Sequence, residues 1–267
     1  MDTDPTNGPA DEGPGFPRWL KWGLLGALAI LIVGYGIILL YAKVINDSPD
    51  ELDATDLDAA LATDGTTTPS DGATTGSSST VPSGVASPDT IPAADGARRW
   101  NVTDASQLGY RVKEILFGVD TEAVGRTNRI TGGIVVEDTE VTDGEFVVDV
   151  ASITSDESRR DGQFRGRIMS TDQFPDATFT LTQPIELGTE PVEGASVSTS
   201  ATGDLTLHGV TNRVTFELEG RVDNGRIGVL GNIPVVFADY DIPNPSFGGI
   251  STDDNGLLEF VLVFEPA

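Results

Sequence analysis

Between residues 98 and 267 apolar and polar side chains alternate along the chain, the signature of strands with one buried face. Leu205 and Leu207 alternate with Asp204, Thr206 and His208, and Val214, Phe216 and Leu218 resume after Gly209, which lets the backbone turn. Leu258, Phe260, Leu262 and Phe264 share one face of a last strand. Further strand signals fall at Trp100–Val102, Tyr110–Phe117, Thr131–Glu137, Glu145–Ile153, Ala177–Gln183, Val197–Leu207, Arg213–Arg221 and Arg226–Phe237. Asn224-Gly225 predicts a hairpin turn, and Thr142-Asp143-Gly144 predicts another. Over 155–174 the spacing changes to helical: Ser155-Asp156-Glu157 offers a cap, Phe164, Ile168 and Met169 fall on one side, and Pro175 ends the run. Gly162 and Gly166 predict that this helix is short or broken. The pattern is all-β, about eight antiparallel strands with one helical insertion. Closure into a barrel would cover the sheet edges, and a two-sheet sandwich is the alternative.

A different pattern precedes it. Trp22 to Ala42 holds no charged side chain, and a helix of that length spans about 32 Å, enough for a hydrocarbon core of about 30 Å. Trp19, Trp22 and Tyr41 stand where interfacial aromatics belong, and Leu40-Tyr41-Ala42-Lys43 is a poor cleavage site. We therefore expect an uncleaved transmembrane helix over 19–43. Arg18 and Lys21 ahead of it predict a cytoplasmic N-terminus, which places the remainder outside. Gly23 and Ala27, four apart, mark a face on which two such helices could pair into a homodimer. Residues 1–18 carry Pro, Gly and Asp and predict a disordered tail. Residues 44–97 hold ten acidic and no basic side chains amid Ser, Thr, Gly and Pro, so they predict a disordered linker. The folded domain is expected over 98–267.

Composition narrows the chemistry. The formal charge of −26, from 42 acidic and 16 basic side chains, argues against nucleic-acid binding, which needs a basic surface. No cysteine means no disulfide or thiolate chemistry, and a single histidine, His208, makes a His-rich metal site implausible. Asp239, Asp241, Asp253 and Asp254 lack the fixed spacing of a calcium loop. No metal, cofactor or catalytic constellation is therefore expected.

Several fragments, in order, carry a resemblance. They are Trp100, Ala151-Ser152-Ile153-Thr154, Arg160-Asp161, Met169-Ser170-Thr171-Asp172-Gln173-Phe174-Pro175, Ala177-Thr178-Phe179 and, most specific, Gly203-Asp204-Leu205-Thr206-Leu207-His208-Gly209-Val210-Thr211. Together they make residues 100–265 similar to the YceI-like family. Two departures stand out: Gln163-Phe164 replaces a usual His-Leu, and Phe237-Ala238-Asp239-Tyr240-Asp241-Ile242 lacks a usual Arg and Gly. The resemblance implies an eight-stranded antiparallel lipocalin-like barrel with a helical insertion. It also implies a long-chain apolar lipid, isoprenoid or quinone-like, held without reaction for transport or storage in a bacterial cell envelope. The alternative is a barrel filled by its own side chains and used for protein–protein contact. As cavity candidates we take Phe164, Ile168, Met169 and Phe174 from the insertion, and Phe179, Leu181, Leu205, Leu207 and Phe216 from strands.

Overall fold

The computed structural model describes residues 18–40, 48–62 and 96–267, with side chains of the first stretch described over 26–37. The chain divides into two units, Met1–Asn46 and Asp47–Ala267. In the first, helix α1 runs over Arg18–Leu40. Leu28, Ile30, Leu31, Ile32, Val33, Tyr35 and Ile37 are all exposed on it. Among the described residues no helix is long and apolar enough to cross a membrane. The span expected over 19–43 is thus found as a helix but not established as a crossing. Its last residues, 41–43, and residues 1–17 of the tail expected over 1–18 lie outside the described residues, while Arg18 of that tail opens α1 and Gly23 of the expected pairing face lies within it.

Among its described residues the second unit has twelve strands: β1 Arg98–Val102, β2 Gln107–Leu116, β3 Val119–Thr127, β4 Ile130–Glu137, β5 Glu140–Asp149, β6 Asp176–Leu181, β7 Ile185–Glu186, β8 Ser196–Leu207, β9 Val210–Asp223, β10 Arg226–Val236, β11 Ile250–Thr252 and β12 Asn255–Pro266. Eight of them pair in the order β1-β4-β5-β6-β8-β9-β10-β12, and β12 pairs back onto β1, closing an antiparallel barrel. The barrel, not the sandwich, is the fold. Closure leaves none of the eight with an open edge. β1 and β2 follow one another along β12, whose end pairs β1 (Phe264 with Val102) and whose start pairs β2 (Leu257 with Arg111). Buried Ser106 fills the gap between them. Its hydroxyl accepts from the Val263 N–H at 2.9 Å and lies 3.3 Å from the Val263 carbonyl, to which it donates. β3 pairs with β2, β11 with the far end of β2, and β7 with β5.

The turn at Asn224-Gly225 forms as expected, with φ of 53° and 70°, and His208-Gly209 makes the same kind of turn between β8 and β9 at 50° and 80°. Two consecutive positive φ values match the strand twist of a two-residue hairpin. Gly209 has a second reason: a Cβ there would fall 2.5 Å from the Phe174 ring. The hairpin expected at Thr142–Gly144 is corrected. β4 turns into β5 at Asp138, in the left-handed region at 51°, and Asp143-Gly144 lies inside β5. Val135 pairs with Asp143 and Val136 with Val141, so Thr142 is the extra residue of a bulge, and Gly144 pairs in register with Ile134.

The insertion is short and broken. Helix α3, Ser158–Gln163, is capped by Glu157, whose carboxylate accepts from Arg159 N–H at 3.1 Å. It widens at once into a π-helical turn, Phe164–Ile168. Ser155 is not the cap; its N–H and hydroxyl donate to buried Asp161 at 2.8 and 2.7 Å.

The linker expectation over 44–97 also needs correction. Residues 48–62 belong to the folded unit, while 63–95 lie outside the described residues. Helix α2, Ala54–Ala62, opens on Asp53, whose carboxylate accepts from the N–H groups of Thr55 at 2.7 Å and Asp56 at 3.2 Å. Leu52, Leu57 and Leu61 are buried against Val261 and Val263, the outward residues of β12. Gly228 makes room: a Cβ there would meet Leu57 at 2.7 Å and Leu61 at 2.8 Å. Beside them Glu259, 1% exposed, is held by Arg111 at 3.2 Å and Arg126 at 2.7 Å. Arg111 also donates to the Pro49 carbonyl at 2.8 Å, and the Leu52 N–H donates to Glu259 at 3.4 Å. The acidic, Ala-rich composition concealed three leucines at positions that meet one groove on the barrel wall.

Candidate functional site

Alternation along the ring sends one side of every strand inward. On β12 that side is Leu258, Phe260, Leu262 and Phe264; on β2 it is Leu108, Tyr110, Val112 and Glu114. These side chains do not fill the barrel. They enclose a cavity of about 270 Å³, lined from β2 and from every strand of the ring except β1. That volume lies near the lower end for ligand pockets. Aromatic rings meet inside the barrel: Phe146 and Phe179 on neighbouring strands at 6.5 Å, and, reaching past intervening strands, Phe264–Phe146 at 5.9 Å, Phe179–Phe216 at 5.6 Å and Phe216–Phe260 at 5.9 Å. Edge and tilted contacts of this kind hold the rings in fixed orientations, so the wall is shaped without a ligand.

The ladders give the cavity two ends. At one, Leu187, Thr189, Glu190, Pro191, Ser196 and Arg221 line it, near the start of β8 and the end of β9. At the other stand Tyr110, Glu114, Arg160, Phe164, Ile168, Pro245 and Thr252. The insertion covers this second end. Phe164 stacks on Tyr110 at 4.9 Å and 17°, and Arg167 donates to the Pro245 carbonyl at 2.7 Å, tying the π turn to the segment before β11.

The second end is where polar groups enter an otherwise apolar wall. Glu114 pairs with Thr252 on one side and Thr121 on the other, so the three face the same way across β11, β2 and β3. Burial pushes the Glu114 carboxyl above its ordinary value, an effect opposed by Arg160 and reinforced by Asp156. Burial likewise pushes the Tyr110 phenol well above its ordinary range, again against the pull of Arg160. Both groups are thereby held in their neutral forms more firmly than in water.

Of the nine residues expected from sequence, Phe164, Ile168, Met169, Phe179, Leu181, Leu205, Leu207 and Phe216 line the cavity. Phe174 does not. It lies beyond the π turn, where the chain reverses towards β6, and its ring sits 4.6 Å from His208 and against Gly209. His208 in turn has Nδ1 3.3 Å from the Tyr240 carbonyl, a contact that fixes the β8–β9 turn and stands apart from the cavity lining. Sequence reasoning missed the β12 aromatics, although their shared face was visible in the alternation. Glu114 and Thr252 carried no such signal, because only pairing across the sheet brings them together. Among the described residues no group of three or more His, Asp or Glu is placed to hold a metal ion.

With the geometry in hand, comparison with known proteins is informative. The chain is 33% identical over 128 residues to a UPF0312 protein of Vibrio parahaemolyticus, covering 45% of this chain and 64% of that protein. It therefore spans less than two thirds of the length of that relative. A UPF0312 protein of Shewanella denitrificans is 28% identical over 176 residues, covering 62% of this chain and 83% of its own. Among solved structures, a polyisoprenoid binding domain from Saccharophagus degradans, implicated in plant cell wall breakdown, superposes with a TM-score of 0.52 at 22% identity. The match covers 64% of this chain and 99% of that one, a likeness of fold. The model of the YceI-like domain matches residues 100–264, and the chain belongs to that family.

Proposed function

We propose that this protein binds a long-chain apolar lipid, isoprenoid in type, inside the barrel and holds it for transport or storage without chemical change. The observation that carries the reading is the cavity itself, apolar almost throughout and lined by aromatic rings in contact with one another. A chain burying about 400 Å² there gains on the order of 10 kcal/mol before association costs, at about 25 cal/mol per Å². Apolar lining alone therefore suffices for affinity. The polyisoprenoid binding domain with the same fold supports the ligand class.

We further infer that the barrel lies outside the cytoplasm, attached to a membrane through residues 19–43. Support comes from the uncharged run Trp22–Ala42 and from the exposed apolar side chains along the described part of α1.

The test is binding of an apolar fluorescent probe, diphenylhexatriene, to the full chain. The wild type is expected to enhance its emission, and a long-chain isoprenoid to displace it. Phe179→Asp and Phe216→Asp, each placing a carboxylate in the wall, should abolish both while the far-ultraviolet circular dichroism keeps its β signal. A wild type that neither binds the probe nor yields it to an isoprenoid would leave only the reading of a ligand-free module for protein contact.

A further inference from the structure

One end of the cavity is built differently from the rest. Thr252 is 8% exposed and lines the cavity, yet its hydroxyl has no hydrogen-bond partner. A buried hydroxyl left unpaired is costly, and folded proteins rarely leave one without a reason. Its backbone is fixed on both sides. The Thr252 N–H donates to the Ser246 hydroxyl at 2.9 Å, and its carbonyl accepts from the Asn244 amide at 3.1 Å. The hydroxyl is thus positioned by the loop and uncommitted. Directly across the ladder stands Glu114, also lining the cavity, and beyond it Thr121, whose buried hydroxyl is likewise unpaired. Neighbouring strands lie about 4.8 Å apart, so the three groups form a row of oxygens spanning about 10 Å at the covered end.

Resting on the lipid reading above, we propose that this row is a head-group site: Thr252 and Glu114 hydrogen-bond a neutral oxygen, hydroxyl or carbonyl, at the end of an apolar chain. The ligand therefore lies with its head under the insertion and its tail along the aromatic wall. The local charges select against an anionic head. Glu114, Asp156 and buried Asp161 gather at this end against Arg160, which already pairs with Asp156 at 2.5 Å. A phosphate or diphosphate would find its countercharge already engaged: Arg160, which lines this end, pairs with Asp156, and Arg165 and Arg167 of the π turn are not among the lining residues. A neutral oxygen meets one hydroxyl able to donate or accept, and a carboxyl that burial favours in its protonated, donating form.

The experiment compares three isoprenoid probes of one chain length on the full-length protein: geranylgeraniol, geranylgeranyl diphosphate and the hydrocarbon phytane. The alcohol should bind more tightly than phytane by on the order of tenfold, the return on pairing an otherwise orphaned group, and the diphosphate more weakly than the alcohol. Thr252→Val keeps the side-chain shape and removes the hydroxyl. It should erase most of the alcohol's advantage over phytane, with the variant's β circular dichroism signal and cooperative thermal unfolding as the check that it has folded. Equal binding of alcohol and hydrocarbon by the wild type, an advantage that survives in both Thr252→Val and Glu114→Leu, or tightest binding of the diphosphate would each overturn the head-group site while leaving the lipid reading intact. Failure of all three probes to bind would overturn both.

Discussion

At the scale of single residues, the cavity was half legible. Period-two alternation placed Leu205, Leu207, Phe179 and Phe216 on inward faces, and the ladders put them there. Phe174 was misplaced because helical spacing was carried one turn too far, past the point where the π turn reverses the chain. Glu114 was not legible at all, since a carboxylate on an inward face contradicts the pattern that finds inward faces. Its position makes a prediction about pH. Burial raises its folded-state pKa above the ordinary 4.5. The folded chain therefore holds this proton more tightly than the unfolded chain does. The stability it contributes is complete below 4.5 and is lost as pH rises through the folded value. Glu114→Gln removes that loss. The variant should melt at the same temperature as the wild type in acid below the carboxyl range and at a higher temperature at neutral pH. Thermal unfolding followed across that range checks it, and a variant less stable at neutral pH would show that Glu114 is held ionised by Arg160 instead.

At the scale of elements, the barrel strands were readable and the strap along its wall was not. Composition marks residues 44–97 as linker, and propensity alone would leave a nine-residue helix marginal in water. What holds α2 is tertiary. Leu57 and Leu61 are 0% and 1% exposed, and Arg226 and Arg221 reach across to the Leu61 carbonyl and the Asp58 carboxylate. Leu57→Ala should cost about 2–5 kcal/mol, the range for emptying a buried leucine site. Glu259→Ala should cost about 3 kcal/mol, the low end for breaking a buried ion pair, because Arg126 and Arg111 lose the buried carboxylate they share while Arg111 keeps Glu122. Chemical denaturation of the full chain measures both. If residues 48–62 were only a tether, Leu57→Ala would leave the midpoint unmoved. The Asp143-Gly144 dipeptide teaches the converse lesson. Two residues of hairpin-turn type here pair within β5, beside a bulge at Thr142, and only the register of β4 against β5 decides between turn and strand.

For the molecule as a whole, net charge and missing cysteines restricted the chemistry but could not show whether the barrel is open. Eight strands permit either a packed core or a cavity. β12 closes onto β1, and the inward side chains of the closed barrel leave a space of about 270 Å³ between them, which is the cavity. The membrane role of residues 19–43 is testable at this scale. Carbonate washing of membranes from cells expressing the full chain should leave the protein in the pellet, and deleting 19–43 should release it. Release of the intact chain by the wash would set the anchor aside.

The claim on which the account turns is that the cavity holds lipid. Native mass spectrometry of the full chain, purified in detergent from a cell that makes isoprenoids, tests it most directly. The account predicts a species heavier than the polypeptide by one long-chain apolar lipid, lost on extraction with organic solvent and absent from Phe216→Asp. A wild-type protein found only at its polypeptide mass, under conditions where such lipids are abundant, would contradict it.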